Sequence, residues 1–170
     1  FLGSYLLKTE NEIFFLSRGK TFENINKNGL TLKSELGEIK FEKVNIFEKL
    51  PNKLIFDIVI LSVKLYDLES SIDYLQEFIN EKTIILPFQN GVFSEEVIYK
   101  KILLKNYYGA VAQISASISD NKEIIHHGRL ATFFVGPIKK NINSNILSNF
   151  TEECQTKGLD IRFTKNIGCK

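Results

Sequence analysis

"FDIVILSVKLYDLESSIDYLQEFINEKTIILPFQNGV", residues 56–92, changes its hydrophobic period twice. "FDIVILSV" (56–63) is β-branched and apolar on both faces, as a parallel strand covered by helices must be. Leu68, Ile72, Leu75, Phe78 and Ile79 then recur at helical spacing. "TIILPF" (83–88) returns to a buried strand and closes on Gln89, Asn90 and Gly91. Strand, helix and strand in that order make the unit of a parallel sheet, whose crossover is usually helical.

The pattern continues outward in both directions. Ile13 to Leu16 reads as a short buried strand, followed by a helix through Phe22 and Ile25 that stops at Asn28-Gly29, with Gly29 as its C-terminal cap. "LTLKSELGEIKFEKVNI" alternates apolar and polar residues on either side of Leu36-Gly37 and reads as a β-hairpin. Beyond residue 92, Ser94 reads as an N-cap with Glu95 and Glu96 in the first turn. "YYGAVAQISA" is strand-like around Gly109. Glu123 to His127 and Thr132 to Val135, divided by Gly128, read as a late antiparallel pair. Ile142, Ile146, Leu147 and Phe150 line a helix up to Gly158, and "LDIRF" ends the series as a small strand. The fold class predicted is α/β, a doubly wound, mostly parallel sheet with helices on both faces.

Composition narrows the function classes. The chain of 170 residues is 44% hydrophobic and 25% charged with a net charge of +2, so no basic stripe points to nucleic acid. No apolar run approaches the ~20 residues of a membrane span. Lys8, Glu10 and Glu12 interrupt the first apolar stretch, against a signal peptide. Cys154 and Cys169 are too few for a disulfide framework or a zinc site, which suits a reducing cytoplasm. His126 and His127 are adjacent on a strand, point to opposite faces and cannot chelate one metal together. No Met occurs, so Phe1 is not read as the biological start. Nothing in the sequence indicates an oligomeric state.

In an open α/β sheet, ligands bind beyond the carboxyl ends of the strands. The predicted strands end there on Ser17-Arg18-Gly19-Lys20, on Lys64 and on Gln89-Asn90-Gly91. Singly these are solvated strand ends and an Asn-Gly turn; together on one edge they favour an anionic ligand. "FLGSYL" sharpens the reading. If Gly3 is the last glycine of a G-x-G-x-x-G turn, the first precedes Phe1, and the ribose-reading residue falls about 20 positions after that first glycine. That count reaches Ser17-Arg18. An acid there would bind the ribose hydroxyls of NAD, whereas Arg18 offers a guanidinium fork to a 2′-phosphate and Lys20 a second charge, which favours NADP.

"LSRGKTFENINKNGLTLKS", "DIVILSVKLYDLESSI", "ILPFQNGV" and "YGAVAQISASI", in this order and spacing, resemble the Rossmann-like N-terminal domain of ketopantoate reductase (2-dehydropantoate 2-reductase) from Gly3 to about Gly136. The resemblance implies NADPH-dependent reduction of ketopantoate to pantoate, on the way to pantothenate and coenzyme A. It makes Gly3 and Ser4 the end of the phosphate turn, Arg18 the 2′-phosphate partner and Lys64 part of the cofactor site. Asn90 would touch cofactor and substrate, and Ser115 would be a further cofactor contact. Residues 1–170 would form the NADP-binding domain, without the family's first strand and ending before its helical domain. The family's general-acid lysine lies in a W-x-K segment of that helical domain, and this chain has no Trp. No catalytic residue is therefore assigned here, Lys170 included. Two alternatives stay open: a non-catalytic remnant of such a gene, and a reductase of the same fold for another 2-oxo acid.

Overall fold

The computed structural model describes residues 1–89, 93–104, 106–138 and 144–167, apart from the side chain of Phe93. Helix α1 (Leu2–Leu6) precedes strand β1 (Phe15–Leu16), helix α2 (Gly19–Asn28), strands β2 (Leu30–Lys33) and β3 (Ile39–Phe41), and strand β4 (Ile46–Phe47). The stop at Gly29 is physical. Its φ of +74° suits glycine, its N–H caps Ile25 C=O at 2.9 Å, and a Cβ there would run into the Phe41 carbonyl. The Leu36-Gly37 turn closes the expected hairpin, with Leu30↔Phe41 and Leu32↔Ile39 in antiparallel register. The tail of that stretch then leaves the hairpin, and β4 pairs parallel with β1 in a separate two-stranded sheet.

Within that segment, residues 56–89 fold as read. Strand β5 (Ile58–Leu61), helix α3 (Leu65–Leu75) and strand β6 (Ile84–Pro87) form a strand–helix–strand unit, with β5 and β6 parallel from Ile58↔Ile84 to Leu61↔Pro87. Every residue of β6 is buried, and α3 buries Leu68, Ile72 and Leu75 along one face. Each such side chain contributes about 1.5–3 kcal/mol by leaving water. Thr83 Oγ1 donates to Phe56 C=O at 2.8 Å and accepts the Asn80 N–H at 3.0 Å, which satisfies the polar groups where β6 begins.

Helix α4 (Phe93–Lys101), strands β7 (Tyr108–Ile118) and β8 (Ile124–Pro137), helix α5 (Asn145–Thr156) and strand β9 (Asp160–Phe163) complete the order. The larger sheet runs β3-β2-β8-β7 with β9 also on β8. It is mixed: β2 and β8 are parallel, whereas β7 and β8, joined by only 119–123, must be antiparallel. Two local expectations are corrected. Glu123 to His127 and Thr132 to Val135 are not a pair but one strand, because Gly128 at φ +72° lets β8 pass without ending. Ser94 is not the N-cap, since α4 already includes Phe93; its hydroxyl donates to Glu95 Oε2 at 3.0 Å instead.

The chain divides into two compact units. Residues 1–52, 113–132 and 152–160 form one, around Tyr5, Leu32, Ile46 and Leu159. Residues 53–112, 133–151 and 161–170 form the other, around Leu68, Ile72, Leu86 and Val135. Among the described residues no helix is long and apolar enough to cross a membrane.

Candidate functional site

In the first unit, α1 lies against β1 at Gly3. A Cβ on Gly3 would stand 2.5 Å from Phe15 Cε1, so the Phe15 ring packs onto the bare Gly3 backbone more closely than a side chain there would allow. Ser4 is wholly buried, and its Oγ has no hydrogen-bond partner among the described residues. A buried hydroxyl without a partner loses free energy, roughly 1–3 kcal/mol, and is open to a ligand's hydrogen bond.

Strand β1 ends where the spacing argument places the ribose. The Phe15 N–H donates to Asn45 C=O at 2.8 Å and the Ser17 N–H to Phe47 C=O at 3.0 Å, so β1 and β4 run out together. Arg18 then occupies the N-cap of α2 in extended conformation and is exposed. Gly19 follows at φ +57°, and its N–H donates to Glu48 Oε1 at 3.1 Å. Sequence reasoning missed Glu48, because "KVNI" reads as the returning arm of the hairpin rather than as a strand ending beside Arg18. The available signal was an acid straight after an apolar pair, at the carboxyl end of "NIFE".

In the second unit, the loops after β5 and β6 are tied together. The Phe88 N–H donates to Leu61 C=O at 2.9 Å, and Gln89 Nε2 reaches across to Val63 C=O at 3.1 Å. Gln89 Oε1 is buried with no hydrogen-bond partner among the described residues. Lys64, next to Val63, is the exposed N-cap of α3. The structure therefore brings Lys64 and Gln89 to one pair of strand ends. Arg18 and Lys64, by contrast, follow strands of separate ladders and belong to different units. Asn90 and Gly91 lie outside the described residues. Ser115 is exposed on β7.

Other titratable groups have structural settings. His126 Nδ1 meets Ser34 Oγ at 2.7 Å and Nε2 meets Leu130 C=O at 3.0 Å, so Nε2 carries a proton. His127 turns to Ser117 Oγ at 2.8 Å, so the two histidines serve different partners, as their adjacency on a strand requires. Burial, with the charge of Glu153, pushes the Cys154 thiol up to about 12, which leaves it protonated and inert. Burial also pushes the Tyr99 phenol up to about 12, helped by Glu95 and Tyr107. Cys169 lies outside the described residues.

The sequence profile of the ketopantoate reductase PanE/ApbA family matches residues 1–140. The chain belongs to this family. As a PanE/ApbA chain it is 31% identical over 135 residues to the uncharacterized oxidoreductase YkpB of Bacillus subtilis (strain 168), covering 79% of this chain and 44% of that protein. Its fold is that of the 2-dehydropantoate 2-reductase from Geobacter metallireducens GS-15, at TM-score 0.84, 22% identity, and coverage of 96% of this chain and 54% of that one. It is also similar to D-mandelate dehydrogenase in complex with NADH, at TM-score 0.76, 20% identity, and coverage of 98% and 52%. The chain thus spans about half the length of the relatives it matches. The PanE/ApbA match bears out the predicted α/β, Rossmann-like class, with parallel β-strand pairs beside a mixed sheet.

Proposed function

We propose that residues 1–170 supply the NADP-binding part of a reductase that converts 2-dehydropantoate to pantoate, in the cytoplasm. Membership of the ketopantoate reductase family, over residues 1–140, is the observation that carries this reading. In it, Gly3 closes the phosphate turn, and its close approach to Phe15 is the packing that the third glycine of such a turn permits. Ser4, with its unpartnered buried hydroxyl, is suited to a phosphate oxygen or a neighbouring donor. Arg18 takes the 2′-phosphate through its guanidinium fork.

Lys64 and Asn90 are assigned to the nicotinamide side, with Asn90 orienting the 2-oxo acid and Ser115 adding a cofactor contact. NADPH, when bound, supplies hydride to the carbonyl carbon. The chain's part is to hold and align: Gln89 ties its own loop to the Val63 carbonyl, next to the backbone of Lys64. Proton donation to the forming alkoxide is assigned to the family's helical-domain lysine and to no residue of 1–170.

A related reading, in which the substrate is another 2-oxo acid, is favoured by the fold shared with D-mandelate dehydrogenase. Loss of reduced-nicotinamide absorbance, followed with 2-dehydropantoate and with aromatic 2-oxo acids in parallel, separates the two. Faster turnover of 2-dehydropantoate supports the first reading. Preference for an aromatic 2-oxo acid moves the assignment to the second.

A further inference from the structure

We propose that Glu48 is a specificity-determining residue, a carboxylate of this chain's own held where a 2′-phosphate would arrive. The inference rests on the cofactor reading above and on the residues around Arg18. Strands β1 and β4 are parallel with Leu16↔Phe47 in register, so the residue after Phe47 emerges beside Ser17, Arg18 and Gly19. Glu48 uses that position to accept the Gly19 N–H at 3.1 Å. Gly19 stands at φ +57° with nothing within 4 Å of the place a Cβ would take, so the backbone beside the Glu48 carboxylate is uncovered on that side.

Two opposing preferences meet there. Arg18 attracts a phosphate of about −1.5 to −2 charge. Glu48 repels that phosphate, yet is the right acceptor for the unphosphorylated ribose hydroxyls of NADH. Cofactor choice is thus a balance between neighbouring side chains rather than the property of Arg18 alone. Exposure of Glu48 keeps the repulsion modest and sensitive to salt.

Glu48→Gln keeps an oxygen for the Gly19 N–H and removes only the charge. At low ionic strength the variant should bind NADPH about fivefold more tightly, the size expected of one solvent-exposed charge, while NADH binding does not improve. The gain should shrink as salt is added. Glu48→Asp, which keeps the charge, should retain an NADPH-to-NADH affinity ratio near that of the parent chain. Dinucleotide binding with an unchanged ratio in Glu48→Gln, or Asp behaving like Gln, overturns the role of Glu48 and leaves the cofactor reading standing. Failure of the folded parent chain to bind either dinucleotide overturns both.

Discussion

At Gly3 an added methyl group would press on the Phe15 ring, 2.5 Å from Cε1, so ring or helix must shift to admit it. Gly3→Ala should therefore lower stability by about 1–3 kcal/mol in urea melts, and Phe15→Leu should recover part of the loss. Arg18→Ala should weaken NADPH binding by about 1.5–3 kcal/mol, the worth of a charge-assisted hydrogen bond, and leave NADH nearly unaffected. Equal losses for both dinucleotides would remove Arg18 from the 2′-phosphate. Cys154 gives a pH signature. Between the usual thiol value of about 8.5 and about 12, the unfolded chain has lost this proton and the folded chain keeps it. The folded state binds more protons, so stability falls as pH rises through that window, by at most about 1.4 kcal/mol per unit. Cys154→Ala should flatten the fall, and an identical slope would contradict the buried, protonated thiol.

Elements were legible wherever one period dominated. "FDIVILSV" and "TIILPF" became β5 and β6, and the Leu68–Ile72–Leu75 spacing became the buried face of α3. Glycines were read less well, because one residue type serves opposite ends. Gly29 stops a helix at φ +74°, whereas Gly128 at φ +72° carries β8 onward. Local pattern does not distinguish them; the partners β7 and β2 do. The site residues were visible as types, since charges and amides at strand ends stand out, but their ties were not. Gln89 reaching Val63 depends on the β5–β6 register, and Glu48 reaching Gly19 depends on β4 leaving its hairpin for β1. Gln89→Leu removes the tie while keeping similar bulk. It should cost about 1 kcal/mol and speed amide hydrogen exchange over 62–65. Unchanged exchange there would show that the loop is held by its backbone alone.

Across the whole chain, the ladders β1–β4 and β5–β6 carry their polar residues at the carboxyl ends, where α/β sheets receive ligands. Family membership and these strand ends are independent lines leading to one expectation, a nicotinamide dinucleotide. The 2′-phosphate is the discriminating group, because it is the one difference between the two dinucleotides and the proposed partner of Arg18. The decisive measurement is calorimetric titration of the purified 170-residue chain with NADPH and, in parallel, with NADH. Saturable binding that is tighter for NADPH is the result predicted. A folded chain that binds neither dinucleotide, or prefers NADH, would contradict the account.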